Sequence, residues 1–513
     1  MKRKLASAAS VVALLITAAC GGGSETTKAD PNAEIDPGVA VVYQNSWAAS
    51  GMDPHKTMLG ADGLFLGMFY DRLVHRSPAG DPIPGLAESW EFDKDGKALT
   101  LHLREGVTFS DGSVFDADAV VANLKRALEP DSGTAPLLAV VGDVRSENAT
   151  TVVISLKGPG AALPLTLSDL PGMMVSPQAF ATPAAATKLK TTPAGAGRYT
   201  LADAEAGARY VLKANPGYWD PAAIGATTFE WQVVADPQTR LNAISSNDAN
   251  IIQVSTTLVA PAEARPELVV SAQPTLNSHT LNFNRSKSEF DKVEVRQAVL
   301  YAVDRQEIVE GALDGQATVA DQPFPTGYFA HNEALEGSYA HDPDKARELL
   351  ASVGLKDGFS FEVLVLNVAQ IVREAEIIQA QLAKVGIKMK ITPVALADLS
   401  AAFNRGEGDA AMNAWAGRGD PAILLNQYFN PAAPGNPSKS SAEGFEQAMS
   451  AANSAFDDTE RGPLLGKVSQ LVMDDALYLP IAFFNQGAIH SNNLVGYTPY
   501  VAGDEFRGVG VAK

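Results

Sequence analysis

The sequence predicts an α/β fold divided into two or three lobes, and two observations carry this prediction. The chain has 513 residues, more than a single compact hydrophobic core usually holds. Helical and strand-like patterns also alternate along it. Val295, Val299 and Ala302 recur at helical spacing, whereas residues 387–391 alternate apolar and polar side chains as a strand does. This alternation is typical of sheets covered by helices.

The composition is that of an ordinary globular protein with an acidic surface. Hydrophobic residues make up 46% of the chain and aromatic residues 7%, and the formal net charge is −19. This negative charge argues against nucleic acid as a partner, because phosphate backbones attract basic surfaces.

The N-terminus predicts export from the cytoplasm. A basic cluster at residues 2–4 precedes an apolar run over residues 5–19, which is too short to span a bilayer. The two together predict a signal peptide over residues 1–19.

Cys20 follows this signal directly and is the only cysteine of the chain. The preceding Thr17-Ala18-Ala19 resembles a bacterial lipobox, so the sequence predicts lipidation of Cys20. Residues 20–35 are rich in small and polar residues, which predicts a flexible, lipid-anchored tether. The expected location is the cell envelope, at the outer face of the cytoplasmic membrane.

From residue 39 onward, local patterns predict the first elements in order. A strand is predicted over residues 39–43 and a helix over residues 64–70. Leu99, Leu101 and Leu103 alternate with polar residues after an Asp-Gly turn, which predicts a half-buried strand of a hairpin.

Capping residues mark the boundaries of later helices. Asp116 is placed to cap a helix over residues 117–128. Asp304 and Glu307 have the spacing of a capping box, and Gly386 is placed to end a third helix.

The stretch 408–421 is the best candidate for a ligand-binding segment. An apolar run ends at Trp415, whose flat ring and single N–H suit the wall of a site. Two glycines, Arg418 and Asp420 follow before Pro421 ends any strand pairing. Either this loop is the floor of a ligand site, or it is a strand ending in a surface turn. The candidate ligand-binding residues here are Trp415, Ala416, Gly417, Arg418 and Asp420.

Three segments carry a resemblance to a known family. They are Pro-Gly-Leu-Ala-Glu-Ser-Trp at 84–90, Leu-His-Leu-Arg-Glu-Gly-Val-Thr-Phe-Ser-Asp-Gly at 101–112 and Asp-Ala-Val at 118–120. Together they resemble the signature block of the bacterial extracellular solute-binding proteins, family 5, the dipeptide and oligopeptide receptors of ABC importers. The resemblance continues at residues 195–199, 215–219, 281–284, 295–305, 342–350, 378–387 and 479–481.

The resemblance implies a clamshell of two α/β lobes joined by two crossover segments, with the ligand held between them. Carried over to this chain, lobe I comprises residues 36–278 and 488–513. A subdomain is inserted in it at about 72–178, and lobe II comprises residues 279–487.

Four further candidates follow from this arrangement. Asn45 and Trp47 would lie at the cleft edge of lobe I, where Trp47 faces Trp415 or instead belongs to the core. Asn284 and Asn485 would lie at the crossovers, where their amides contact ligand or hold backbone.

The implied function is capture of a small solute, peptide-like or an anionic organic compound, and its delivery to the permease subunits of an ABC importer. Closure of the two lobes around the solute is the implied mechanism. The protein would act as a lipid-anchored monomer, without cofactor, metal or catalytic residues. No Gly-x-Ser-x-Gly or His-Glu-x-x-His motif occurs. Two alternatives remain open: a surface-anchored secreted hydrolase, and a peptide sensor or scaffold not coupled to transport.

The loop after Trp415 bears on which solute is bound. In the family's dipeptide receptors, an aspartate soon after the cleft tryptophan holds the amino group of the ligand, and an arginine holds its carboxylate. Here the loop is one residue shorter where that aspartate should be, and the arginine's place falls near Val365. We therefore expect no binding of free dipeptides through both termini. Arg418 would suit an anionic group or a longer peptide with unclamped ends, unless it pairs with Asp420 or another protein residue.

Overall fold

The fold is described by a computed structural model that covers residues 33–57, 60 and 62–513. The predicted signal peptide, Cys20 and the tether before residue 33 lie outside the described residues.

Within those ranges the chain forms nineteen strands and fourteen α-helices. The strands are β1 (Val41–Asn45), β2 (Val74–Arg76), β3 (Pro82–Pro84), β4 (Ala87–Phe92), β5 (Ala98–Leu103), β6 (Val141–Asn148), β7 (Thr151–Leu156), β8 (Tyr199–Glu205), β9 (Arg209–Ala214), β10 (Thr228–Val233), β11 (Ile251–Gln253), β12 (Leu268–Phe283), β13 (Ala317–Val319), β14 (Ser360–Leu366), β15 (Lys388–Val394), β16 (Ala410–Trp415), β17 (Tyr478–Ser491), β18 (Leu494–Val495) and β19 (Gly510–Val511). The helices are α1 (Asp62–Leu66), α2 (Ala117–Ala127), α3 (Leu163–Thr166), α4 (Pro183–Leu189), α5 (Pro237–Ser245), α6 (Thr256–Glu263), α7 (Val293–Ala302), α8 (Arg305–Ala312), α9 (Pro343–Ser352), α10 (Ala369–Ala383), α11 (Leu396–Asn404), α12 (Pro421–Phe429), α13 (Phe445–Asn453) and α14 (Asp458–Asp474).

Two long antiparallel strands, β12 and β17, run through the centre of the main sheet. The strand order is β15-β14-β16-β12-β17-β11-β1-β10-β9-β8, and β13 adds to β17. Residues 268–274 of β12 pair with residues 485–491, and residues 278–282 pair with residues 478–483. The register shifts between Pro274 and Ser278, and again between His279 and Thr280. The two strands therefore lead from one half of the sheet into the other at the same place.

Separate hydrophobic cores lie on the two sides of this crossing. One core extends from Leu276 to Ala482 and includes Val501, and we call the part of the chain around it lobe II. A second core packs β1, β10 and β11 against segments near both ends of the described chain. A third belongs to a separate antiparallel sheet of order β4-β5-β7-β6, covered by α2. The second and third cores, with a smaller one around α5 and α6, form lobe I. This is the two-lobed α/β clamshell that the sequence predicted.

Two local predictions, a helix cap and a half-buried strand, are confirmed. The Asp116 side chain accepts a hydrogen bond from the Ala119 N–H, and Leu99, Leu101 and Leu103 are buried in β5. One prediction is corrected, because α1 ends at Leu66 rather than continuing to residue 70. The carbonyls of residues 68 and 69 accept from the N–H groups of residues 199 and 197, which draws this segment into a strand-like contact.

The capping box at α8 forms only in part. Asp304 accepts from the Glu307 N–H at 3.1 Å, as predicted. The return bond is absent, because the Asp304 N–H donates to Gln381 Oε1 and the Glu307 carboxylate accepts from Gln381 Nε2. A side chain from α10 thus takes the second half of the motif.

No helix among residues 62–513 combines the length and the apolar character needed to cross a bilayer.

Candidate ligand-binding cavity

A cavity of about 540 Å³ lies between the two lobes. Its size is in the range of small-molecule sites. The lobe I wall consists of loops and short 3-10 helices, and it includes Thr57, Gly133, Pro136, Leu137, Asp169 and Leu170. Since both lobes supply walls, a ligand here would contact both.

The lobe II wall lies beyond the carboxyl ends of parallel strands. β15, β14 and β16 run in the same direction. The chain leaves β15 into α11 and leaves β16 into the loop that precedes α12, and both of these connections line the cavity. Crevices outside the carboxyl ends of parallel strands are where open α/β sheets bind ligands.

Apolar side chains form one surface of the cavity. Leu399 and Phe403 come from α11, and Ile423 and Tyr428 come from α12. Burial raises the pKa of Tyr428 to about 12, and the positive charge of Arg418 opposes that rise. The Tyr428 hydroxyl is therefore neutral at physiological pH.

Three polar side chains on neighbouring strands fix each other's orientation. Asn413 Oδ1 accepts from Asn282 Nδ2 at 3.2 Å and from Thr280 Oγ1 at 3.3 Å. Asn282 Nδ2 also donates to Thr280 Oγ1 at 3.1 Å. Both asparagines line the cavity. Within the described ranges, Asn282 Oδ1 and Asn413 Nδ2 have no hydrogen-bond partner, so they offer a ligand one acceptor and one donor.

Arg418 is the candidate that the structure brings to the cavity. It lines the cavity and is half-buried. Among the residues that the structure describes, it makes no ion pair and no hydrogen bond. The alternative in which it pairs with Asp420 is not what the structure shows.

Asp420 supports the loop instead of facing the cavity, which corrects its assignment as a ligand contact. It is fully buried, caps α12 by accepting from the Ala422 N–H at 2.8 Å, and pairs with Arg461, whose Nη2 lies 2.8 Å from its Oδ1. Burial alone would lower the pKa of Arg461, but the charge and hydrogen bonds of Asp420 raise it above its ordinary value. Both carboxylate oxygens of Asp420 are thereby occupied.

Trp415 lies behind the cavity wall rather than in it. Its ring is 1% exposed and stacks on Tyr428, with centroids 4.2 Å apart and planes at 11°. It also stacks on Tyr478 at 4.8 Å. It therefore supports Tyr428, which lines the cavity where the tryptophan was expected.

Gly417 is held against β12. The Gly417 N–H donates to Asn277 Oδ1 at 2.7 Å, and a β-carbon at Gly417 would lie 2.6 Å from the Cβ of Leu276. Ala416 is exposed and does not line the cavity. Both residues were expected to contact ligand, and here they shape the loop that carries Arg418.

The remaining four candidates lie away from this cavity. Asn45 is fully buried and its amide has no partner within the described residues, whereas Trp47 packs edge-on against Trp231 at 6.1 Å. Asn284 Oδ1 accepts from Ser286 Oγ, and Asn485 Oδ1 accepts from Thr318 Oγ1. Trp47 thus packs against the lobe I core and does not line the cavity.

Four lining residues were not predicted from the sequence, namely Asn282, Asn413, Tyr428 and Asp169. The first two lie inside the segments 281–284 and 408–421, where the alternation of side chains along a strand could have indicated them. Asn282 is two residues before Asn284 and shares a strand face with Thr280. In the residues that the structure describes, no group of three His, Cys, Asp or Glu side chains is arranged to hold a metal ion.

Comparison with known proteins identifies the family. A family model described as bacterial extracellular solute-binding proteins, family 5 Middle, matches residues 81–436. The chain belongs to this family. It is therefore a solute-binding protein of ABC importers, of a kind that binds peptides or similar ligands, and this extracellular family places it in the periplasm or envelope.

Relatives of known name differ in what they bind. The chain is 28% identical to heme-binding protein A of Haemophilus influenzae, over 97% of each chain. It is 30% identical to the dipeptide-binding protein of Escherichia coli, over 79% of this chain and 82% of that one. These relatives are binding proteins rather than enzymes.

Solved structures agree on the fold. HbpA2 from Haemophilus parasuis superposes with a TM-score of 0.83 at 26% identity, covering 92% of this chain and all of that one. DppA from Helicobacter pylori, solved with the peptide STSA, gives 0.76 at 24% identity, over 93% and 98% of the two chains. The second likeness concerns the fold alone.

Proposed function

We propose that this protein captures a peptide-like solute or other small organic compound with an anionic group, and delivers it to the permease subunits of an ABC importer. One observation carries the proposal: Arg418 lines the cavity between the lobes without a protein partner in the described chain. A charge-assisted hydrogen bond from a guanidinium to a carboxylate contributes about 1.5–3 kcal/mol.

Closure of the lobes is the proposed mechanism of capture. We propose hinges where β12 and β17 cross, between lobe I (36–278 and 488–513) and lobe II (279–487). Contacts across the cleft support this. Phe92 of lobe I stacks on Phe456 of lobe II at 4.2 Å, and a β-carbon at Gly419 would lie 3.2 Å from the carbonyl oxygen of Leu165. A ligand that touches both walls stabilises this closed arrangement over an open one.

We further propose that the protein is a monomeric lipoprotein at the outer face of the cytoplasmic membrane, anchored through Cys20 after removal of residues 1–19. The basic cluster, the apolar run and the single cysteine support this. Cys20→Ala should release the protein or leave it unprocessed, as measured by membrane fractionation and mass spectrometry. An unmodified Cys20 in mature protein extracted from membranes would contradict the anchor.

The solute is tested by calorimetry on protein freed of whatever co-purifies. Small organic acids, acidic peptides, amidated peptides and unblocked dipeptides are compared on the wild type and on Arg418→Ala. We expect a preference for a free anionic group that the variant loses by about 10- to 100-fold. Tight binding of ordinary dipeptides that Arg418→Ala leaves unchanged would contradict the proposal.

Closure is tested on the best ligand of that series. Small-angle scattering with saturating ligand should give a smaller radius of gyration than the ligand-free protein. An unchanged profile would indicate a fixed groove.

A further inference from the structure

The cavity carries one charge of each sign, and the two charges come from opposite lobes. Among the residues that line it, Asp169 of lobe I and Arg418 of lobe II are the charged ones. Residues 58, 59 and 61, next to the lining residue Gly60, are Met, Leu and Ala, so they add no charge by sequence. Asp169 and Arg418 are not within ion-pair distance of each other, so neither neutralises the other.

The backbone fixes Asp169 in place. Its Oδ1 accepts from the Leu170 N–H at 2.8 Å, and its own N–H donates to the Thr166 carbonyl at 3.2 Å. Its Oδ2 accepts no hydrogen bond from any residue that the structure describes. Since the side chain is 22% exposed and faces the cavity, Oδ2 is available to a ligand.

The nearest cation, Arg76, is already engaged. Its Nη2 is 3.9 Å from Asp169 Oδ1, beyond hydrogen-bond distance. Its Nη1 donates to the Ala502 carbonyl at 2.8 Å, and Nη2 donates to the Ser168 carbonyl at 3.1 Å. Arg76 therefore leaves the carboxylate without a direct charge-assisted hydrogen bond.

We propose that Asp169 binds a cationic group of the solute, so that the solute is zwitterionic and bridges the lobes, with its anion on Arg418. This inference rests on the proposed function and deepens it, because it assigns the second charge of the ligand to lobe I. A solute with only an anionic group would leave Oδ2 of this partly buried carboxylate without a charge-assisted hydrogen bond, which is unfavourable. Each lobe thus recognises one end of the solute, and closure requires both ends.

The test measures discrimination between matched ligands. Unblocked peptides of increasing length are compared with their N-acetylated and their C-amidated forms by calorimetry. Wild type, Asp169→Asn and Arg418→Gln are used, with Asp143→Asn as a control. Asp169→Asn retains the acceptor for the Leu170 N–H, and Asp143 is an exposed residue of β6 whose replacement changes the net charge equally. Thermal melts check that each variant is folded.

We expect Asp169→Asn to weaken binding of the unblocked peptides by about 10- to 100-fold and to abolish the preference over the N-acetylated forms. Arg418→Gln should abolish the preference over the amidated forms instead, and Asp143→Asn should change neither. If Arg418→Gln loses its preference while Asp169→Asn binds as the wild type does, this inference is overturned and the proposed function stands. If no peptide or organic acid binds the wild type, both are overturned.

Discussion

Arg418 and Asp420 are two residues apart in the same loop, yet the structure gives them opposite surroundings. Asp420 is fully buried, caps α12 and pairs with Arg461 on α14. Arg418 faces the cavity between the lobes with no partner in the described chain. Asp420 supports the loop, whereas Arg418 lines the cavity and is the residue that we propose binds the ligand. Two charged residues of one loop can therefore have unrelated roles.

The largest effect is expected from removing the supporting charge. Asp420→Ala leaves the guanidinium of Arg461 buried and unpaired, which should lower the free energy of unfolding by about 3–5 kcal/mol. Denaturant unfolding measures this. The double variant Asp420→Asn with Arg461→Met removes both charges and should recover most of the loss. A wild-type unfolding midpoint in Asp420→Ala would show that the pair does not support the loop.

The matching change at Arg418 should leave stability almost unaltered. Arg418→Gln removes a half-buried cation that makes no ion pair in the described residues, so the free energy of unfolding should change by less than about 0.5 kcal/mol. Affinity for an anionic ligand should nevertheless fall by about 1.5–3 kcal/mol. A stability loss as large as that of Asp420→Ala would remove the distinction between the two residues.

The fold and the family could be predicted from the sequence, because hydrophobic periodicity and long signature segments are local. The residues that line the cavity could not be predicted, because tertiary packing decides which side chains are exposed there. Trp415 and Tyr428 illustrate this. Both are aromatic and near the same loop, but the tryptophan stacks behind the tyrosine, and only tertiary packing decides which ring is in front.

Asp420 shows a second limit of the same kind. Its partner Arg461 is 41 residues later in the chain, and no local pattern connects the two. The position of Arg418 at the cavity could be predicted, because the tryptophan and the two glycines mark a strand end, and strand ends of this kind face the cavity in lobe II.

A smaller effect is expected at Gly417, where the loop that carries Arg418 contacts β12. Gly417→Ala places a methyl group 2.6 Å from the Cβ of Leu276, so the loop must shift, at about 1–3 kcal/mol. The shift also displaces Arg418, so ligand affinity should fall although no ligand contact is removed. Gly158→Ala is the control, because a β-carbon there meets no atom within 4 Å. Equal stability and affinity in the two variants would show that the loop does not need this close contact.

The smallest effect is expected at Tyr428, whose ring lies between Trp415 and the cavity. Tyr428→Phe keeps the ring that stacks on Trp415 and removes a hydroxyl with no hydrogen-bond partner within the described residues, so affinity should change by less than about 0.5 kcal/mol. The pKa of Tyr428 is raised to about 12, from an ordinary value of 10.0. As pH rises above 10, the unfolded chain therefore loses this proton before the folded chain does, and the hydroxyl contributes a loss of stability with rising pH. Between pH 9 and about pH 11, the free energy of unfolding should fall slightly less steeply with rising pH for Tyr428→Phe than for the wild type. Loss of affinity comparable to that of Arg418→Gln would instead mean that the Tyr428 hydroxyl binds the ligand directly, and that the ligand contacts of lobe II extend beyond Arg418 and the two asparagines.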